Sequence, residues 1–522
     1  MRQADLTRPD PRPLSEEWES PRFLRQADRP WRRGWRTLVL AAALGATAFS
    51  PGLAQAPLPG SVPPSEAAPA RAVRLPRQRL TAHRLSPLLL DIEQRTFRFF
   101  WETANPTNGL IPDRWPTPSF ASVAAVGFGL AAYPVGVDHG WITREEATGR
   151  VLTTLRFFSN APQGPEPAGR TGYRGFFYHF LDMQTGARFE HVELSTVDTA
   201  WFVAGALTCQ MFFDGDSAAE REIRELADSI YRRVEWTWAQ PRPPLVSMGW
   251  TPEDGQHNLD WRGYDESMMV YVLGLGSPTF PIAAEAWPTF CSSYQWRAYY
   301  GFEHVNFAPL FGHQYTQVFV DFRGIRDAYT RDKGIDYFEN SRRATLAQRA
   351  YATDNPSGWK DYGANVWGLT ACDGPLDVIL DVNGIPRRFF TYAARGASGV
   401  EVRDDGTIAP WAALASMPFA PEVVVPAIEE MHRRWGEHIV GQYGFWDAFN
   451  PTFTFPGVTP HHGKIVPGVV WVDGDVLGID QGPALLMLEN YRSDLIWRLL
   501  RRHPAIVQGL RRAGFSGGWL GS

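Results

Sequence analysis

A chain of 522 residues with a formal net charge of −5 has no basic surplus and no stripe of Lys and Arg interleaved with aromatics, which excludes a nucleic-acid partner. Aromatic residues make up 13% of it and 21 are Trp, mostly in Gly- and Pro-punctuated segments, a placement that suits an aromatic-lined cleft better than core packing alone. Three widely spaced cysteines, Cys209, Cys291 and Cys372, form neither a disulfide framework nor a metal-ligand pattern, so neither metal nor cofactor is expected.

In chain order, residues 1–56 read as an export signal. Arg32 and Arg33 precede an apolar stretch, Leu38 to Phe49, and Ala54-Gln55-Ala56 is a cleavage site of the A-x-A kind. The Arg pair with Gly34-Trp35 resembles a twin-arginine leader, and the apolar stretch is too short for a stable membrane anchor. A periplasmic or secreted protein is expected. Residues 57–85, rich in Pro, Ala and Arg, read as a linker, and residues 86–522 as one domain.

Helices then follow one another. Leu88, Leu89, Ile92, Phe99 and Phe100 mark a first helix after Ser86, and a polar turn carrying Asp113, Arg114 and Trp115 leads to a second from Ser119 to Tyr133. Thr143 with Glu146, and Ser217 with Glu220, are capping boxes that open helices to about Ser159 and Trp236. Between them, Tyr173 to Arg188 reads as a hairpin turning at Gln184-Thr185-Gly186, and Ser195 to Phe213 as a buried helix. Met268 to Leu275 is a second buried helix. Further helices are expected at Pro281–Trp296, His313–Arg326, Lys333–Asp354, Trp411–Ser416, Pro421–Trp435, Asp475–Tyr491 and Leu495–Arg512, with a long decorated loop from Asn355 to Thr407. Eleven or twelve helices joined by long polar loops describe an all-α toroid of helical hairpins with small β-hairpin insertions and a site at its loop-side mouth.

The chemistry concentrates in Gly249 to Pro278, where a loop of carboxylates, amides and aromatics runs into a core helix. Glu266 sits at that junction, where desolvation would keep a carboxyl protonated. Trp250, Trp261 and Tyr264 offer apolar faces, and Asn258, Asp260, Arg262 and Asp265 hydrogen-bonding edges, a mixture suited to a sugar ring. A helix start with ordinary acidic residues is the plainer reading of the same stretch. Three other clusters open buried helices: Glu193 and Asp198 around Ser195, Asp447 beside Trp446, and Asp480 with Gln481. Ser195 with Asp198 also fits a helix cap, and Glu489 with Arg492 a helical ion pair. Asp473-Gly474-Asp475 mimics the start of a calcium loop but fails at Leu477 and Ala484. Glycosidic cleavage needs one protonated and one ionised carboxyl; Glu266 as acid and Asp447 as base fill those roles.

The segments GWTPEDG, RGYDESMMVYVLGLGSP, YGFWDAFNP and GIDQGPALLMLENYRSDLIW resemble the glycoamylase-like domain of bacterial endo-β-1,2-glucanases, over about Ser86 to Arg502. The resemblance implies an (α/α)6 barrel that hydrolyses β-1,2-glucan to sophoro-oligosaccharides with inversion, Glu266 matching the acid and Asp447 the base. His313, Gln314, Trp446, Asp480 and Gln481 join the expected substrate-binding set. A polysaccharide lyase with His313 as base and Tyr315 as acid, and a non-catalytic oligosaccharide-binding protein, are the competing readings. An oligo- or polysaccharide is the expected partner, bound by a monomer.

Overall fold

The computed structural model describes residues 83–521. The expected export signal at 1–56, and the linker as far as residue 82, lie outside the described residues.

Helix α1 (Pro87–Glu102) starts where Ser86 Oγ accepts from the Leu89 N–H, with Pro at its first position. Helix α2 (Val123–His139) begins four residues later than the sequence suggested, because Ala121–Ser122 first pairs as a short strand with Phe180–Leu181 before Ser122 caps the helix. Helix α3 (Arg144–Asn160) carries the full Thr143/Glu146 capping box. Helix α4 (Thr196–Phe212) is capped by Ser195. Helix α5 (Ala218–Arg233) has half a box: Ser217 caps it, while the Glu220 carboxylate turns to Gly215 N–H and Arg144.

Helices α6 (Met268–Gly276) and α7 (Ala286–Cys291) follow. The helix expected at Pro281–Trp296 shrinks to α7, because Trp296–Tyr299 instead pairs with Phe302–Val305. Tyr300 and Gly301 both adopt positive φ, the two-residue turn that matches strand twist. Helix α8 (Phe311–Phe319) stops short of Arg326. Gly334 in the left-handed conformation ends α9 (Ala328–Lys333), which was not expected, and Asp336 caps α10 (Tyr337–Asp354), so the helix expected from Lys333 starts four residues later. Helices α11 (Pro410–Ala415), α12 (Pro421–Ile439) and α13 (Gly478–Ser493) come next. Pro504 splits the last expected helix into α14 (Leu495–Leu500) and α15 (Pro504–Arg512).

The fold is helix-dominated but not strictly all-α. A five-stranded antiparallel sheet joins Gly172–Tyr173, Phe176–Tyr178, Leu194–Ser195, Gly249–Thr251 and Gly255–Gln256. The expected Tyr173–Arg188 hairpin is thus replaced by a tighter one turning at Arg174-Gly175, although Asp182 still folds the 182–186 turn by accepting from Gln184 and Thr185 N–H. As expected, the 355–407 region is a long loop with short strands.

Helices α2, α4, α6, α8, α11 and α13 are buried on nearly every face, whereas α1, α5, α10 and α12 bury one side each. The buried set packs laterally, α13 on α2, α8 and α11, and α4 on α2 and α6, with α15 covering α6. Helices α2 and α4 approach so closely that a Cβ added to Gly205 would lie 2.0 Å from the Gly127 carbonyl oxygen. Gly205→Ala should therefore push the two helices apart and destabilise the fold by about 1–3 kcal/mol, measured by denaturant unfolding. An unchanged midpoint would mean that this crossing yields freely.

Candidate active site

Glu266 occupies the turn before α6. Its backbone carbonyl accepts from Thr316 Oγ1 at 2.9 Å, which ties this turn to α8. The residue is half-buried, yet Oε2 is sealed from solvent and has no hydrogen-bond partner. Burial, then the like charges of Asp265 and Asp198, push its carboxyl up to about 8. Asp265 is itself fastened by the Ser267 backbone N–H and hydroxyl. At neutral pH Glu266 is a protonated carboxylic acid beside carboxylates.

Asp447 is fully buried in the loop after α12. Oδ1 accepts from Trp411 Nε1 at 2.9 Å and Oδ2 from the Asp373 N–H at 2.7 Å. Burial and the Asp373 charge raise it to about 7 against the pull of those donors. Asp480, in the first turn of α13, accepts from Tyr315 Oη at 2.9 Å, and burial and the Asp447 charge push its carboxyl up. Gln481 donates to the Phe445 carbonyl at 3.0 Å and so holds the 444–450 loop against α13. The two ends of the site meet at Tyr315, whose phenol lies in the fields of both Asp480 and Glu266.

Behind Asp447, Arg114 bonds Asp373 at 2.8 Å and Asp475 at 3.2 Å. Single oxygens of Asp373, Asp447 and Asp473 lie within 4.8 Å of one another and could together hold a hard cation. Asp447 already commits both oxygens to N–H donors and Arg114 faces Asp373, so guanidinium and protons meet much of that charge.

A second buried cluster centres on His179, which carried no sequence motif. Its Nδ1 is 2.8 Å from Glu193 and its Nε2 3.6 Å from Asp198. Burial alone would lower it, but Asp198, Glu193 and Asp113 outweigh that and raise the imidazole to about 9. Asp198 is both a cap partner, its N–H donating to Ser195 Oγ, and a short hydrogen-bond acceptor from that hydroxyl. Trp250 leans on Tyr173 and Trp238 from the five-stranded sheet, and Trp446 stacks parallel to Trp115 at 6.3 Å; all five rings keep partly exposed faces.

Other expected ligands stand elsewhere. Trp261 and Tyr264 are core residues, not open platforms: Trp261 Nε1 donates to Thr196 Oγ1 at 2.8 Å, and Tyr264 packs on His313 and Tyr337. His313 is buried, with Nε2 3.1 Å from the Phe307 carbonyl, and burial first, then His304, lowers it to about 3. Gln314 bolts α8 to α11 by donating to the Ala412 carbonyl and Ser416 Oγ. Arg262 is exposed and donates to Ser292 Oγ, and Asn258 is exposed on the preceding loop. Asp373, Trp411 and His179 carried no motif; Asp113 and Arg114 were legible only as a polar turn.

A protonated glutamic acid and a hydrogen-bonded buried aspartate on one helix-lined site form the kind of pair that glycoside hydrolases use. Residues 258–504 match the family model Glycoamylase, described as "Putative glucoamylase". A crystal structure of that description from Bacteroides uniformis ATCC 8492 is 31% identical, with a TM-score of 0.70, covering 84% of this chain and all of that one. The endo-β-1,2-glucanase of Chitinophaga pinensis, solved with sophorotriose and glucose, is 28% identical with a TM-score of 0.70 over 84% of this chain and 100% of its own. An exo β-1,2-glucooligosaccharide sophorohydrolase from Parabacteroides distasonis is 29% identical over 462 residues; these make up 81% of this chain but 57% of that relative's length. The chain belongs to the glycoamylase-like family that contains bacterial β-1,2-glucanases.

Proposed function

We propose that this protein is a glycoside hydrolase that cleaves β-1,2-glucan to sophoro-oligosaccharides with inversion, on an (α/α)6 barrel. Six buried helices, α2, α4, α6, α8, α11 and α13, set against the one-sided α1, α3, α5, α10, α12 and α15, support the six-hairpin count, with α15 as the outer partner of α6. The observation that carries the reading is the half-buried Glu266 carboxyl with its sealed, unpartnered Oε2, a proton donor held ready beside an acidic site.

Glu266 passes its proton to the glycosidic oxygen as the bond to the anomeric carbon breaks. Asp447 takes the proton of the water that forms the new bond at that carbon. In this reading the proton is relayed from the water to Asp447 through a substrate hydroxyl. Trp250 and Trp446 give the sugar faces to stack on, and Glu193 and Asp198 give acceptors for its hydroxyls.

A lyase built on His313 and Tyr315 has less support. His313 is enclosed in the core, and the Tyr315 hydroxyl is committed to Asp480. The protein acts as an exported monomer in this reading; among the described residues no helix is long and apolar enough to cross a membrane.

The test is a panel of linear β-1,2-, β-1,3-, mixed-linkage and α-1,4-glucans assayed for new reducing ends. Only the first should be cut, and Asp447→Asn should cut it about 10²–10⁴ times more slowly. Cleavage of another glucan alone would remove the linkage assignment, and an unsaturated sugar end seen by ultraviolet absorbance would convert the reading to a lyase.

A further inference from the structure

Glu489 lies toward the end of α13 remote from Asp480, where α13 packs on α1 and α2. There it meets Glu93, from the middle of α1, and His139, the last residue of α2. His139 Nε2 is 3.1 Å from Glu489 Oε2 and 3.3 Å from Glu93 Oε2. Both glutamates are completely buried, while His139 is half-buried. Arg492 donates to the Glu489 carboxylate through Nε at 2.7 Å and Nη2 at 2.8 Å, and Ser493 Oγ adds a short hydrogen bond. Glu93 lacks such donors. Neither of its oxygens has a hydrogen-bond partner among the described residues, since the hydrogen bond of His139 Nε2 is made to Glu489 instead. Leaving a fully buried carboxylate in that condition is unfavourable, and buried charges in proteins are paired or coordinate a metal.

We propose that Glu93, His139 and Glu489 form a site for a divalent cation of the zinc type, which clips α1 and α2 to α13. The distances fit such an ion. Tetrahedral zinc with bonds of about 2.0–2.1 Å sets its ligand atoms about 3.3 Å apart, and both separations from His139 Nε2 match that edge. Single atoms of all three side chains lie within 4.8 Å of one another. The charge fits as well: two carboxylates balance a divalent ion bound to neutral imidazole, and Arg492 is balanced by its own bond to Asp138. Trp141 stacks on the His139 ring at 4.1 Å, and Arg492 and Ser493 fix the Glu489 carboxylate as the outer partners of a metal ligand do. Calcium and magnesium suit the site less, since both want more oxygen donors than two carboxylates supply and neither favours imidazole. The Asp373, Asp447 and Asp473 group differs, because Arg114 and N–H donors already meet its oxygens, whereas Glu93 keeps two buried oxygens unpartnered.

The experiment strips the purified chain with a chelator, then follows zinc by titration calorimetry and thermal unfolding in the parent, E93Q, H139Q and D473N, with magnesium and calcium as controls. The parent should bind zinc in equimolar ratio. Zinc at about a hundredfold excess over its Kd should raise Tm by about 3 °C, and magnesium and calcium should not. E93Q and H139Q should each weaken zinc by about hundredfold or more, beyond the 10–100-fold typical of outer partners. D473N should bind zinc as the parent does. In chelator, E93Q should melt no lower than the parent, because an unpaired buried carboxylate is gone.

Zinc that leaves the parent unmoved overturns the proposal and makes His139 an imidazolium shared between two carboxylates. That arrangement would also make E93Q melt lower than the parent in chelator. Zinc that binds the parent, E93Q and H139Q alike is an adventitious ion only, and loss of binding in D473N alone would move the ion to the Asp373 group; both overturn the proposal. Should E93Q fail to fold, H139Q gives the same decision on zinc. None of these outcomes depends on the glycosidase reading, whose residues lie at the other end of α13.

Discussion

Glu266→Gln is expected to lower kcat on β-1,2-glucan by about 10²–10⁴, the usual worth of a positioned proton donor, while leaving oligosaccharide binding nearly intact. Gln keeps the shape and polarity of the side chain but has no proton to give. In the parent, the folded carboxyl is raised to about 8 by burial first and by Asp265 and Asp198 next. Turnover should therefore fall as pH rises through about 8, and this basic limb should vanish in the variant.

The sign for stability follows from the same shift. The folded state holds this proton more tightly than the unfolded chain, whose carboxyl has its ordinary value of 4.5. Stability from Glu266 is thus fully present below the unfolded value and is lost as pH rises toward about 8. Thermal unfolding of E266Q at pH 8 and above should occur at higher temperature than that of the parent. A variant that melts lower there, or that hydrolyses glucan at the parent rate, would show that this carboxyl is neither strained nor the donor.

The second large effect is on the fold behind the base. Arg395 is completely buried, binds Asp405 through Nε at 2.7 Å and Nη2 at 2.8 Å, and donates to the carbonyls of Cys372, Phe390 and Thr391. It pins together the two ends of the loop that presents the Asp373 N–H to Asp447. Arg395→Met removes one charge and leaves Asp405 buried without it, which should cost about 3–5 kcal/mol in denaturant unfolding. Turnover should drop with it, since the Asp373 donor is no longer held. Adding Asp405→Leu should recover much of the stability, because an apolar pair of similar volume replaces the ions without leaving one unpaired. It should recover less of the activity, as Asp405 also accepts from Phe390 and Thr407 N–H. If the single variant unfolds at the parent midpoint, the loop is held by other contacts.

The helix starts were legible because they depend on neighbours in sequence. Ser86, the Thr143/Glu146 pair and Ser217 cap helices within three residues of themselves, and the apolar run from Met268 forms a helix buried on all faces. Periodicity overruns the boundaries at Gly334 and Pro504, where a left-handed glycine and a proline at a helix start set the break. It missed the Trp296–Val305 hairpin, whose turn at Tyr300-Gly301 needs positive φ in a residue other than Gly, a choice that strand pairing imposes.

For the site, the chain alone determined that Glu266 enters a core helix and that Asp480 lies at the start of another, whereas the Asp447 cluster, expected to open a buried helix, leads instead into the short strand Phe449–Asn450. It did not separate Trp261 from Trp250. Both are aromatic residues in one polar loop, and only packing against Thr196 makes the first a core residue while the second keeps a partly open face. Nor did it identify Asp373, His179 or Trp411, which reach the site from segments far apart in sequence. The protonation of each carboxyl was decided by tertiary structure alone, because a pKa follows from the water removed around a group and from the charges and donors that remote segments bring within a few ångströms of it.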